Sequence, residues 1–156
     1  MIDIGCEVID RAFYWAFGWT IIMKGNPANA SGTIDTVEIW ANKELVGCKV
    51  GIFYTTDGGT LKCRSSATLG TVVSGSKQTF NGLSLPVETR DYIGMYYSAG
   101  SMERSASGGG YWRVAGDYCD VGDEIDYTYT ADTDLSLYGT GKEAVPPVSK
   151  RGWWSK

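Results

Sequence analysis

Alternation of apolar and polar residues with a period of two runs through much of the chain, and this period is typical of β-strands. In residues 13–23 the odd positions are all large and apolar, whereas the even positions are smaller or more polar. A strand places the odd positions on one face, whereas a helix would scatter them around its circumference. The pattern therefore predicts one long strand with its odd positions in the core.

The same period predicts strands at 33–40, 48–54 and 60–64. Between the last two lies Asp57-Gly58-Gly59, which supplies the positive-φ positions that a tight hairpin needs. Further strands are predicted at 78–85, 92–98, 111–114, 125–130 and 135–138. The chain therefore has about nine predicted strands.

No helical stripe of apolar residues is present, and 21 glycines interrupt the chain. Many short strands with turn residues between them are typical of sandwiches and barrels. We therefore expect an all-β fold, a jelly-roll-like antiparallel β-sandwich over residues 1–141 with an extended tail at 142–156. Residues 98–110 are rich in glycine and are predicted to form a long mobile loop.

Composition excludes several classes of function. The 156 residues suffice for one domain, and none of them is histidine, so histidine triads and histidine zinc sites are excluded. The net charge of −4 opposes binding to nucleic acid. The apolar stretch 12–23 has 12 residues, short of the ~20 that a membrane-spanning helix needs, and no signal peptide is predicted. We expect neither a nucleic-acid nor a membrane partner.

Four cysteines are widely spaced, without a C-x-x-C pair for zinc or redox chemistry. They are Cys6, Cys48, Cys63 and Cys119. Buried free thiols are one interpretation, and two disulfides in an oxidising compartment are the other.

In the tail two adjacent prolines are followed by Arg151, Trp153 and Trp154. Its charge balance is +3, from Lys142, Lys150, Arg151 and Lys156 against Glu143. Tryptophan and arginine are the residue types that anchor interfaces. Arg151, Trp153 and Trp154 are therefore the candidate partner-binding residues. The tail either folds back on its own domain or inserts into another subunit; a disordered or vector-derived segment is the third interpretation.

An acidic cluster precedes and enters the predicted strand at 125–130. Its candidate ligands for calcium are Asp117, Asp120, Asp123 and Asp126. The spacing does not match a 12-residue EF-hand loop, so the two interpretations are a solvated acidic loop and an irregular calcium site. No other cofactor is expected.

Aromatic side chains in sandwiches often stack against sugar rings. The candidate carbohydrate-binding residues are Trp40, Tyr97, Tyr111 and Trp112. Each lies in or beside a predicted strand, so packing within the core or on a sheet face is the competing interpretation.

Carboxylate chemistry is the only enzymatic route that the composition leaves open. Glu38, Glu88, Glu103 and Glu124 are available, but no pair occupies a position diagnostic of a glycoside hydrolase. We therefore expect a protein that is not an enzyme.

The chain resembles small β-sandwich modules of predicted phage and environmental virion proteins. The segments that carry the resemblance are IDRA at 9–12, NPANA at 26–30, VEIWAN at 37–42, GCKVG at 47–51, DYIGMYY at 91–97, GDYC at 116–119 and LYG at 137–139. The resemblance implies a structural or accessory virion component, decorating a capsid or associated with a tail, that forms homo-oligomers or binds other virion proteins. It also implies a virion or extracellular location, and the alternative is a host-surface or carbohydrate-binding module that grips a polysaccharide.

Overall fold

The structure, a computed structural model, describes residues 1–145, which form 13 strands and no helix. The all-β prediction is confirmed. Within the described range, no helix is long and apolar enough to cross a membrane. The strands are β1 (Ile2–Gly5), β2 (Phe13–Ala16), β3 (Trp19–Met23), β4 (Gly32–Thr55), β5 (Thr60–Val72), β6 (Lys77–Phe80), β7 (Leu85–Val87), β8 (Tyr92–Tyr96), β9 (Ala99–Arg104), β10 (Tyr111–Ala115), β11 (Glu124–Asp126), β12 (Thr128–Thr130) and β13 (Leu137–Glu143).

The 24-residue strand β4 connects the whole sheet. Its first part pairs with β13, β6 and β7, its middle with β9, and its last part with β5 and β8, all antiparallel. Register shifts near Lys43, Val46 and Cys48 mark where β4 changes partners. The result is one large open antiparallel sheet, and β4 runs through all three of these groups of partner strands.

The main core lies between the two ends of this sheet. Val37 and Ile39 from the first part of β4 belong to the same buried cluster as Val50 and Ile52 from its last part. Gly139 of β13 shows how closely the parts approach, since a Cβ there would lie 3.1 Å from Ile4, 3.2 Å from Ile34 and 3.3 Å from Ile93. Both ends of the sheet therefore cover one core.

A second buried cluster covers the opposite face of β3, β4 and β10. Its members are Ile22, Phe53, Leu61, Cys63, Trp112, Cys119 and Tyr127. Strand β3 is consequently buried on both faces, with Thr20, Ile21, Ile22 and Met23 all fully covered.

The predicted hairpin is confirmed between β4 and β5. Asp57 Oδ1 accepts hydrogen bonds from the backbone N–H groups of Gly59 at 2.9 Å and Thr60 at 2.8 Å, and Gly58 has a φ of +86°. These bonds to the charged form hold the pKa of Asp57 below its usual value.

The predicted count of about nine strands is not confirmed, because the structure has 13, and three predictions about individual elements also differ. The predicted strand at 13–23 is two strands, β2 and β3, because Gly18 turns the chain with a φ of +85°. The predicted loop at 98–110 contains β9, and the predicted strands at 33–40 and 48–54 are parts of β4. Strand β13 ends at Glu143, and the division into a domain at 1–141 and a tail at 142–156 stays a prediction.

Candidate functional site

Three large aromatic side chains are exposed on or next to β2: Phe13 and Tyr14 point to opposite faces of the strand, and Phe17 lies just past its end. Phe13 is 48%, Tyr14 61% and Phe17 56% exposed. Among the described strands β2 pairs only with β9, so its other edge has no strand partner in this part of the chain. We call this surface, formed by Phe13, Tyr14, Ala16 and Phe17, the β2 edge.

Strand β9 and a buried tyrosine hold the β2 edge in place. Antiparallel pairing runs from Phe13 opposite Arg104 to Ala16 opposite Ser101. The hydroxyl of Tyr97, which is fully buried, donates a hydrogen bond of 2.8 Å to the carbonyl of Trp15. The edge is therefore attached to the core although its own side chains are exposed.

Cationic side chains flank the β2 edge. The Arg104 guanidinium lies 5.5 Å from the ring centroid of Phe13, and that of Arg113 lies 5.6 Å from the ring of Trp19. Such contacts stabilise an arginine over an aromatic face. Shallow grooves of about 450 and 210 Å³ border Tyr14, the second of them also lined by Lys43. The surface is thus aromatic at its centre and positively charged at its rim.

Trp15 lies beneath this surface and packs edge-on against Trp19, with ring centroids 5.8 Å apart, and against Tyr111, at 5.2 Å. Its Nε1 atom is buried and has no hydrogen-bond partner among the described residues. An unpaired buried donor costs about 1–3 kcal/mol. The aromatic contacts of Trp15 must offset that cost.

Three of the four predicted carbohydrate-binding residues are buried. Tyr97 and Tyr111 belong to the main core and Trp112 to the second cluster, where it packs edge-on against Tyr92 at 4.8 Å. Trp40 alone is half-buried, on β4. The structure does not bring the four together, and the three buried rings have no open face for a sugar.

The predicted calcium residues engage other side chains. The Lys49 Nζ atom lies 2.5 Å from Asp117 Oδ2 and 2.9 Å from Asp120 Oδ1. Burial alone would lower the pKa of Lys49, but the hydrogen bonds to these carboxylates raise it above its usual value.

Asp123 accepts a hydrogen bond of 3.1 Å from the backbone of Asp120, and Asp126 accepts one from the Thr60 hydroxyl. Across residues 1–145, no three acidic or cysteine side chains are grouped so as to hold a metal ion. Calcium binding stays a prediction, and at Asp117 and Asp120 it would compete with the Lys49 ammonium.

The predicted partner-binding residues Arg151, Trp153 and Trp154 lie outside the described residues. Whether the tail folds back on its own domain or inserts into another subunit therefore stays a prediction.

All four cysteines are free thiols, and three of them are buried. Burial raises the pKa values of Cys6, Cys48 and Cys63 to about 12. Burial likewise raises the pKa of Cys119 well above its usual value. Because the thiolate is the nucleophile, these side chains are poor candidates for covalent chemistry.

A groove of about 550 Å³ lies on the outer face of β1, β13, β4 and β6. Its polar lining includes Glu7, Glu38, Lys77 and Tyr138. Of these residues only Glu38 is a candidate from the sequence, as a catalytic acid, and Glu7, Lys77 and Tyr138 are not predicted. Glu38, Lys77 and Tyr138 lie at outward-facing positions of their strands, and this alternation was the available signal. The pairing that brings β1 and β6 next to β13 and β4 was not predicted.

No known family model matches the chain, and no curated protein matches it.

Proposed function

We propose that the protein is a non-enzymatic structural protein that works by contact with other copies of itself through the β2 edge. One observation carries the proposal: within residues 1–145 β2 has a strand partner on one edge only, and Phe13 and Tyr14 on this strand and Phe17 just past its end are exposed. Aromatic residues and arginine are enriched in protein interfaces, and Arg104 lies beside them.

A second copy is the favoured partner for two reasons. An unpaired strand edge is a template for pairing, and two β2 edges related by a two-fold axis present the same surface to each other. Residues 1–145 carry 11 Lys and Arg against 18 Asp and Glu, a net charge of −7. Charge does not favour this pairing, because a two-fold contact brings two acidic bodies and two cationic rims together, so the choice of a second copy depends on the self-complementary strand edge.

The contact is expected to be weak for a single pair of molecules. Three aromatic side chains, each half-exposed, supply about 300 Å² of apolar surface. A stable interface buries about 800 Å² on each partner. The β2 edge alone therefore supports reversible association, which repeated contacts in a larger assembly would strengthen.

We also propose the fold and the biological role that the sequence predicts. Because both ends of the sheet share one core, we interpret the fold as a jelly-roll-like antiparallel sandwich. The resemblance to virion modules supports a role as a capsid-decorating or tail-associated component. The lack of histidine and the buried thiols support a protein without catalytic chemistry.

Light scattering over a range of protein concentrations tests the proposal. We expect the average mass of the wild-type protein to rise with concentration, and the Phe13→Ser/Tyr14→Ser/Phe17→Ser variant to stay monomeric. The matched control, Val73→Ser/Val121→Ser/Val145→Ser, changes three exposed apolar residues away from β2 and should associate like wild type. A wild-type protein that is monomeric throughout, or equal association of both variants, would contradict the proposal.

A further inference from the structure

The polar groove has a floor made by four neighbouring strands. Gly5 of β1 pairs with Tyr138 of β13, and Tyr138 pairs with Glu38 of β4. Lys77 of β6 lies at the same end of the groove, with its Nζ atom 3.7 Å from Glu38 Oε2. The floor is thus part of the sheet and is formed before any ligand binds.

Trp40 extends this face of β4. It lies two residues beyond Glu38, on the side of the strand opposite to buried Ile39 and Ala41, and pairs in register with Lys77. The face therefore presents a half-buried indole next to the charged residues of the groove.

The wall of the groove is the segment that follows β1, and hydrogen bonds hold it in place. The Ser136 hydroxyl donates to the carbonyl of Ile9 at 2.6 Å, and the Arg11 guanidinium donates to the carbonyl of Glu7 at 2.6 Å. The backbone N–H of Arg11 donates to Glu103 Oε1, also at 2.6 Å, and Glu103 is buried. The wall is therefore fixed relative to the floor.

Both hydrogen-bond donors and hydrogen-bond acceptors line the groove. Glu7 and Glu38 accept, and the Lys77 ammonium donates. The Tyr138 hydroxyl donates to Asp3 Oδ2 at 3.2 Å, which fixes its ring across β13 and β1. Burial and the neighbouring Asp3 raise the pKa of Tyr138, so its hydroxyl remains a donor.

We infer that this groove binds a neutral oligosaccharide, with Tyr138 and Trp40 against the sugar rings and Glu7, Glu38 and Lys77 at the hydroxyl groups. Sugar hydroxyls both donate and accept, and so match a lining that offers both functions. Aromatic faces pack against the apolar faces of sugar rings. A volume of about 550 Å³ lies within the range of small-molecule sites. Phosphorylated ligands are disfavoured because two carboxylates face one ammonium.

This inference is independent of self-association. The groove lies on β1, β13, β4 and β6, whereas the β2 edge lies on or next to β2, which among the described strands is linked to β4 only through β9. A protein that fails to associate can still bind a sugar, and one that binds no sugar can still associate.

Titration with neutral oligosaccharides, followed by amide chemical shifts, tests the site. Suitable probes are the hexamers of cellulose, starch, xylan and chitin. We expect at least one probe to shift the amides of Glu38, Lys77 and Tyr138. Tyr138→Ala should weaken that binding about tenfold through loss of the ring contact. Because Tyr138→Ala removes a large ring from β13, Glu38→Ala and Lys77→Ala provide second variants that remove only flexible charged side chains.

Matched controls lie away from the groove. Glu88→Ala removes an exposed carboxylate and Tyr129→Ala an exposed aromatic ring, and both should bind like wild type. The inference is overturned if no probe binds, if the shifts map to other residues, or if none of the three groove variants weakens binding. Preferential binding of a simple amine such as putrescine, lost in Glu38→Ala, would also overturn it by assigning the groove to cations.

Discussion

Aromatic residues of this chain take opposite roles that depend on where their strands lie. Tyr97, Tyr111 and Trp112 are buried, whereas Phe13, Tyr14 and Phe17 are exposed. The exposed group lies on or next to β2, which has one strand neighbour among the described residues, and the buried group lies on or next to strands between two layers. Residue type alone therefore does not identify the contact surface.

The thiols provide a test at the scale of single residues. We expect the native protein to react slowly with a disulfide reagent such as DTNB at neutral pH, because its cysteines are largely buried and their pKa values are raised. After unfolding in denaturant without reductant, all four should react. Fewer than four reactive thiols in the unfolded protein would mean that disulfides form, contrary to the structure.

Glycine contributes more to stability where two strands approach closely than in an exposed turn. Gly58 and Gly100 both have positive φ values, of +86° and +93°. A Cβ at Gly58 would meet nothing within 4 Å, whereas one at Gly100 would collide with the carbonyl of Glu44. The second glycine thus allows β9 to approach β4.

Two alanine variants test this difference. Gly58→Ala should lower the free energy of unfolding by about 1 kcal/mol, from backbone strain alone. Gly100→Ala should lower it by about 3 kcal/mol, because steric overlap adds to the strain. Urea denaturation measures both. Equal losses would show that β9 does not depend on this close approach.

The fold class and the β4–β5 hairpin could be predicted because they depend on local signals. Alternation indicates strands, and Asp57-Gly58-Gly59 fits a tight turn whatever surrounds it. Strand β9 could not be predicted in this way, since Ala99–Arg104 contains no β-branched or aromatic residue. It is a strand because β2 and β4 pair with it from both sides.

The β2 edge could not be predicted for a related reason. Alternation at 13–23 shows that two faces differ, but it does not show which neighbour covers each face. The odd positions Phe13 and Phe17 were expected in the core, but both are exposed: Phe13 begins β2, whose one strand partner within residues 1–145 is β9, and Phe17 lies just past the end of β2. Such information depends on pairing between residues far apart in the chain.

At the scale of the whole molecule, charge and apolar surface are unevenly distributed. The described chain is acidic, with a net charge of −7, yet Arg104, Arg113 and Lys43 lie around the aromatic β2 edge. An acidic body limits nonspecific association, while the exposed aromatic rings and the strand edge of β2 provide one local contact. The proposed oligosaccharide groove lies on other strands and can remain open when the edge is occupied.

Hydrogen exchange of the peptide covering residues 13–17, measured at increasing protein concentration, tests the self-contact most directly. If β2 pairs with β2 of another copy, its backbone amides become protected from exchange as concentration rises, while a peptide covering the exposed 57–59 turn stays unchanged. Exchange at 13–17 that is the same at every concentration, in samples whose mass by scattering increases, would place the contact elsewhere and contradict the account.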